Sequence, residues 1–576
     1  MPTSSQSSAT SPSLASDLEI ARSTPLLPIA RVAEDAGIPE ERVEPYGRHV
    51  AKIDLGAVAD LADRPPAKYI VVTAVTPTPL GEGKTTTAVG LAQGLAQLGH
   101  GTMLTLRQPS MGPTFGVKGG AAGAGHAQVL PMEQMNLHLT GDFHAITAAH
   151  NLLSAMVDNH LHHGNELGID PHAISWRRVL DVNDRSLRNV VLGLGQAQDG
   201  IPRQSGFDIT AASEVGVILA LSTSLRDMRE RLGRIVVGFT RDGRAVTADD
   251  LMAAGAMAAI LKDALRPNLM QTCEHTPVLV HAGPFGNIAT GNSSIVADQV
   301  GVRCADYLIT EAGFGSDMGA ERFVNIKCRL SGLRPHAAVV VTTVRAMKLH
   351  SGRHRVVAGR PLPEAMLAEN PDDVRAGSAN LLKHLDIVRS FGLIPVVAVN
   401  VFPQDHPSEL QAIVDIATDA GARCELATHV VEGGRGASAL ARAVVEACEE
   451  PSEVRYTYDL EESLVAKITA VAREIYGADA IDLLPDAARE LDRLEGLGYG
   501  TLPVVIAKTH LSISSDPRLK GAPTGWTLPV REVRLAAGAG YVYAICGDMR
   551  TMPGLGRHPA AERIDIDESG QIVGLF

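Results

Sequence analysis

A chain of 576 residues is too long for one ordinary hydrophobic core, so two or three units sharing a large buried interior are expected. Aliphatic residues are plentiful, aromatics make up 4%, and 56 glycines supply turns and close backbone approaches, a composition that suits an α/β enzyme. A formal net charge of -13 and a pI near 5.9 argue against a nucleic-acid partner, which demands clustered Lys and Arg, so any anionic ligand must be held by a local site.

From the N-terminus, residues 1–16 read as a disordered tail, because they are rich in Ser, Thr and Ala and lack the basic and apolar blocks of a signal peptide. Short β-branched runs then alternate with helical patterns at 70–75, 102–106, 234–238, 278–281, 337–342, 394–399 and 502–507, which predicts parallel strands joined by crossovers. The Ala-rich stretch 251–265 carries Lys262 and Asp263 and is predicted as a buried helix, not a membrane span. Charged, Pro-containing stretches near 361–373 and 449–453 suggest boundaries. They divide the chain into a nucleotide-binding unit (17–370), a second α/β unit (371–452) and a C-terminal unit (453–576). Six scattered cysteines without a C-x-x-C pair suit reduced thiols in the cytoplasm.

The first strand is followed by Thr76-Pro-Thr-Pro-Leu-Gly-Glu-Gly-Lys84-Thr-Thr-Thr87 and then by a helical pattern with Ala88, Leu91, Ala92, Leu95 and Leu98 on one face. Residues Thr78, Pro79, Leu80, Gly81, Glu82, Gly83, Lys84 and Thr85 match G-x-x-x-x-G-K-[ST] except at the first position, where Thr78 stands for Gly. A Gly-rich turn at a helix start aims backbone N–H groups at an anion. Lys84 reaches the outer phosphates, and the Thr85 hydroxyl suits Mg²⁺, so the expected ligand is Mg-ATP.

The next strand delivers Arg107 to its C-terminal end, as an anion clamp or as a surface ion pair. The small-residue loop 116–125 contains Lys118 and permits close backbone approach to a ligand, or else serves as flexible linkage. His126, His138, His144, His150, His160, His162, His163 and His172 form a dense run without metal-ligand spacing. Asp142, after a glycine, is a candidate acceptor or base, or a helix cap. Glu311, ending an apolar run, stands where a Mg²⁺-associated carboxylate is expected.

Together these residues resemble the formate–tetrahydrofolate ligase family from about residue 18 to 576. The likeness rests on 76–87, Leu106-Arg-Gln-Pro-Ser-Met-Gly-Pro113, 116–129, Asp181-Val-Asn-Asp-Arg185, 262–271, 311–323, 343–348 and Arg550-Thr-Met-Pro-Gly554. The resemblance implies P-loop-NTPase-like parallel sheets with flanking helices in a multi-domain subunit, commonly a homotetramer. It also implies synthesis of 10-formyltetrahydrofolate from ATP, formate and tetrahydrofolate through formyl phosphate, with stimulation by potassium or ammonium. By the same resemblance, Lys84 and Arg107 offset charge on the transferring group, Lys118 belongs to the substrate site, Asp142 orients or deprotonates the folate amine, and Phe402 stacks the pterin.

The sequence departs from the family pattern at His126, where Tyr is usual, at Gln108, where Glu is usual, and at Thr290 and Asn292, where His and Cys are common. The family's second pterin-stacking residue is a Trp shortly before a Gly-Gly pair. Here Thr428-His-Val-Val-Glu432 precedes Gly433, which leaves His429 as the nearest ring. A diverged relative with another acyl acceptor, or a non-catalytic ATP-binding switch, are the alternative readings.

Overall fold

The computed structural model describes residues 15–116, 121–357, 360–547 and 549–575. Lys118 and residues 1–14 of the expected tail lie outside the described residues.

A 12-stranded sheet forms the frame. In chain order its strands are β1 (Val43–Pro45), β2 (Ala51–Ile53), β3 (Lys68–Ala74), β4 (Thr102–Leu106), β5 (Gly123–Ala124), β6 (Ala127–Leu130), β7 (Asn268–Thr272), β8 (Pro277–Val280), β9 (Tyr307–Glu311), β10 (Ala337–Thr342), β11 (Ile394–Asn400) and β12 (Arg423–Ala427). Their spatial order is β1-β2-β7-β8-β4-β9-β3-β10-β11-β12, with β6 and β5 attached through β7. From β8 to β12 neighbouring strands run parallel. Parallel strands are covered on both faces, which is why β3 and β10 are near-continuous apolar runs. On β3, Ile70, Val72 and Ala74 pack into one core with Val89 and Leu91, while Tyr69 and Val71 pack into the other.

The helices that matter for the site are α1 (Lys84–Gln97), α2 (Asp142–His162), α3 (Val344–His350) and α4 (Ser378–Ser390). The chain leaving β3 crosses β9 to reach β4, and the chain leaving β9 crosses β3 to reach β10. Adjacent strands with connections that diverge in this way open a crevice at their C-terminal ends, the place where open α/β sheets bind ligands.

The run near 278–281 forms β8, parallel to β4 as expected, and a four-residue hairpin also ties it antiparallel to β7. Two sequence expectations need correction. The run near 234–238 forms a strand at Val236–Thr240 in a separate three-stranded antiparallel sheet, tied to Ala245–Thr247 by a tight turn. The stretch 251–265 is helical only over Ala254–Leu261. Strands β11 and β12, from the stretch expected as a second unit, extend the same sheet as β3, and Val504 and Ile506 of the last third share a core with Val71. Among the described residues, no helix is long and apolar enough to cross a membrane.

Candidate active site

The turn between β3 and α1 is shaped by its own side chains. The Thr78 N–H donates to Glu82 Oε1 at 2.7 Å, and the Leu80 N–H donates to Thr78 Oγ1 at 3.3 Å, so the threonine in the first motif position braces the loop. Gly83 sits at φ +77°, a left-handed conformation that suits glycine, and a β-carbon there would lie 2.8 Å from Asn400 Nδ2. Asn400, the last residue of β11, donates to the Glu82 carbonyl at 2.7 Å and accepts from Thr87 Oγ1 at 2.9 Å. It clamps the loop to the first turn of α1. Lys84 and Thr85 are half-buried at the start of that helix, where unpaired N–H groups favour anions.

Glu311, at the C-terminal end of β9, is 5% exposed and joins the two halves of the site. Its Oε2 accepts from Thr85 Oγ1 at 2.7 Å, and its Oε1 lies 3.6 Å from Arg107 Nε. The Arg107 guanidinium also reaches the Pro284 carbonyl at 3.4 Å. A hydroxyl and a carboxylate oxygen brought this close form the hard oxygen pair that Mg²⁺ prefers, so the residues present fit that ion. Two of the departures from the family pattern are fully buried close by: Asn292 Nδ2 donates to the Glu311 carbonyl at 3.2 Å, and Gln108 follows Arg107.

Asp142 opens α2 and is buried. Its Oδ1 accepts from Lys52 Nζ at 2.6 Å and its Oδ2 from Asn268 Nδ2 at 2.8 Å. Burial pulls the Lys52 ammonium below its ordinary range, and the Asp142 charge opposes that pull. The Asp142 and Arg107 segments converge at Gly283, where an added β-carbon would run into the Gln108 carbonyl and would lie 2.7 Å from Phe143 Cζ. The neighbouring histidines serve other ends: His138 stacks on His144 at 4.9 Å, and His150 stacks on Trp176 at 4.1 Å while bonding Ser213.

Phe402 lies two residues beyond Asn400 and is half-buried, with the Arg345 guanidinium 4.1 Å from its ring centroid. Opposite the sequence expectation, His429 offers no face to a ligand. It is fully buried against α1, neither ring nitrogen has a hydrogen-bond partner among the described residues, and burial pushes its pKa down to about 4. Val430 and Val431 are the exposed apolar side chains in that segment, 40% and 51% accessible, and the Val430 carbonyl accepts from the His126 N–H at 2.9 Å.

Thr85 and Arg107 therefore meet at Glu311, with Lys84 next to Thr85 in the first turn of α1, and Phe402 follows the end of β11. Sequence reading missed Asn400 as the loop clamp and Lys52 as the partner of Asp142. The first had a visible signal in Asn400-Val-Phe402-Pro, of which only Phe402 was singled out. The second had none, since it links residues 90 positions apart.

Over residues 15–576 the chain matches the family described as formate–tetrahydrofolate ligase. It is 69% identical over 561 residues to the formate–tetrahydrofolate ligase of Cutibacterium acnes, a match covering 97% of this chain and 100% of that protein. The protein of the same name from Saccharopolyspora erythraea is 67% identical over 560 residues (97% and 99%), and that of Roseiflexus castenholzii is 59% identical over 561 residues (97% and 100%).

Proposed function

The chain belongs to the formate–tetrahydrofolate ligase family and is an ATP-dependent carbon–nitrogen ligase, and from that premise we propose how its own residues carry the reaction. ATP, formate and tetrahydrofolate become ADP, phosphate and 10-formyltetrahydrofolate. A formate oxygen attacks the γ-phosphorus, and ADP leaves with the electron pair of the broken P–O bond. The folate N10 then attacks the formyl carbon, losing its proton, and phosphate leaves with the C–O bonding pair. Activation is needed because the oxygen of formate itself is a poor leaving group.

In this proposal the N–H groups where the loop Thr78–Thr85 enters α1 cradle the phosphates, and Lys84 offsets charge on the outer ones. Arg107 neutralises the formate carboxylate and then the formyl phosphate. Thr85 and Glu311 would hold Mg²⁺, which when bound supplies charge neutralisation at the outer phosphates. Asp142 orients the acceptor amine, its carboxylate held in place by Lys52 and Asn268. Phe402 stacks the pterin and Lys118 completes the substrate site. Stimulation by potassium or ammonium, homotetrameric assembly and cytoplasmic residence belong to the same proposal; activity in potassium against sodium, and the mass by light scattering, test the first two.

The observation that carries the proposal is Glu311 joining Thr85, on the phosphate loop, to Arg107, on the adjoining strand end. The test is ADP release by purified protein with Mg-ATP and potassium, with formate and tetrahydrofolate omitted in turn. Release that needs both, matched by 10-formyltetrahydrofolate, is the expected result. Release without tetrahydrofolate points to a different acceptor, and release indifferent to both points to a nucleotide switch.

A further inference from the structure

Thr76 is where the chain turns out of β3 into the phosphate loop, and side chains take each of its polar groups. Its N–H donates to Asn380 Oδ1 at 3.1 Å, and its carbonyl faces His350 Nε2 at 2.8 Å. Its hydroxyl accepts from Asn380 Nδ2 at 2.9 Å and faces His384 Nε2 at 3.0 Å. All four residues are buried. With its N–H, carbonyl and hydroxyl all partnered, buried Thr76 is held in a single geometry, which a backbone turn exposed to water is not.

The Thr76 carbonyl can only accept, so His350 Nε2 carries a proton; the Thr76 hydroxyl, which accepts from Asn380, keeps a second lone pair and its own proton for His384 Nε2. Both rings are neutral, since burial holds His384 to about 3 and His350 to about 4.

The same cluster reaches two other parts of the chain. A β-carbon at Gly315 would lie 2.9 Å from His384 Cε1 and 3.1 Å from the Val75 carbonyl, so the loop that follows Glu311 is pressed against the root of the phosphate loop. Asn380 Nδ2 also donates to the Gly521 carbonyl at 2.9 Å, and Asp317, two residues past Gly315, pairs with buried Lys508 at 2.8 Å. Thr76, the loop that follows Glu311 and the last third of the chain thus meet at one buried polar junction.

We propose that Asn380, His384 and His350 are positioning residues for phosphoryl transfer: through Thr76 they set the direction in which the phosphate loop leaves β3, in register with the loop that carries Glu311. This goes beyond the roles assigned above and rests only on the phosphate loop binding ATP. It also makes the segment around Lys508 and Gly521 part of the support of the nucleotide site.

The experiment compares His384→Gln with His384→Asn and Thr76→Ser with Thr76→Val, measuring kcat, the three KM values, direct ATP binding by calorimetry, and Tm. A glutamine amide reaches the position of the Nε2 atom; an asparagine amide stops short of it. The expected result is a fall in kcat/KM for ATP on the order of tenfold in His384→Asn, the loss of one buried hydrogen bond, and at least as large a fall in Thr76→Val, which loses two, with the KM values for formate and tetrahydrofolate unchanged. His384→Gln and Thr76→Ser should return close to wild type. Loss of Tm with unaltered ATP kinetics, equal behaviour of Gln and Asn, or equal shifts in all three KM values would overturn the proposal. If His384→Asn does not fold, the nearly isosteric Thr76→Val decides. Should the wild-type protein prove not to be a ligase, ATP calorimetry on the same variants still reads the positioning effect, so the two failures are distinct.

Discussion

Gly90 of α1 leaves the space that the His429 ring fills: a β-carbon at Gly90 would stand 2.5 Å from His429 Cγ. The helix that begins at Lys84 is therefore seated directly against the segment preceding Gly433, the side of the molecule on which Phe402 and Val430 lie.

Gly90→Ala is expected to destabilise the protein by up to about 2 kcal/mol, because overpacking of about 1–3 kcal/mol is only partly offset by the roughly 1 kcal/mol that alanine adds to a helix. His429→Ala in the same chain should restore part of the loss. Urea unfolding of the single and double variants measures the coupling; additive effects would refute the contact.

Glu311→Gln keeps an acceptor for Thr85 but removes the charge between Thr85 and Arg107. The expected outcome is a fall in kcat of a hundredfold or more, the scale on which transition-state charge is stabilised, and a raised magnesium requirement at unchanged Tm. A magnesium titration that matches wild type would exclude Glu311 from the metal site.

Lys52→Met leaves Asp142 buried without its cation, and breaking such a pair costs about 3–5 kcal/mol. The loss should appear as a lower unfolding midpoint together with a fall in kcat at nearly constant KM for ATP. A stable variant with normal kcat would separate Asp142 from the chemistry.

The pH dependence of stability follows from histidines kept neutral inside the fold. Burial lowers His150 and His384 to about 3, and His281, His350 and His429 to about 4. Below pH 6.5 the unfolded chain takes up protons that these folded rings refuse, so their contribution is present above pH 6.5 and is lost as pH falls toward 4. Each ring costs about 1 kcal/mol for the first pH unit below 6.5. Circular dichroism with urea at pH 7.5, 6.5 and 5.5 should show a steep decline; constant stability across that range would contradict the neutral assignment.

Val430→Trp should lower the KM for tetrahydrofolate several-fold, since one aromatic stack is worth about 0.5–1.5 kcal/mol and the exposed Val430 side chain has room to grow. Phe402→Ala should raise the same KM and leave that for ATP unchanged. Equal KM values in Val430→Trp and wild type would place the acceptor elsewhere.

The parts of the site that were legible in the sequence are those whose chemistry is local. The strand, glycines, Lys84, Thr85 and helix occupy consecutive positions, and the expected strands at 102–106 and 337–342 form over those residues. Arg107 and Glu311 were visible as polar residues ending apolar runs, yet their meeting required the strand order β4-β9-β3, which periodicity does not encode. Lys52, Asn268 and His384 act across long sequence separations through burial, and burial was not readable from residue type alone. The histidine at 429 misled for the same reason: a ring reads as a stacking surface until the fold shows it enclosed.

Asn400 and Phe402 have a last consequence, for divergence. One side chain grips the loop proposed to hold the nucleotide, and the other, two residues on, is the ring proposed to stack the acceptor, so the chain between them is a spacer of fixed length. An insertion or deletion there would throw one site out of alignment with the other. Descendants of this scaffold can change their acceptor by exchanging side chains at places such as Val430, but not by lengthening this loop.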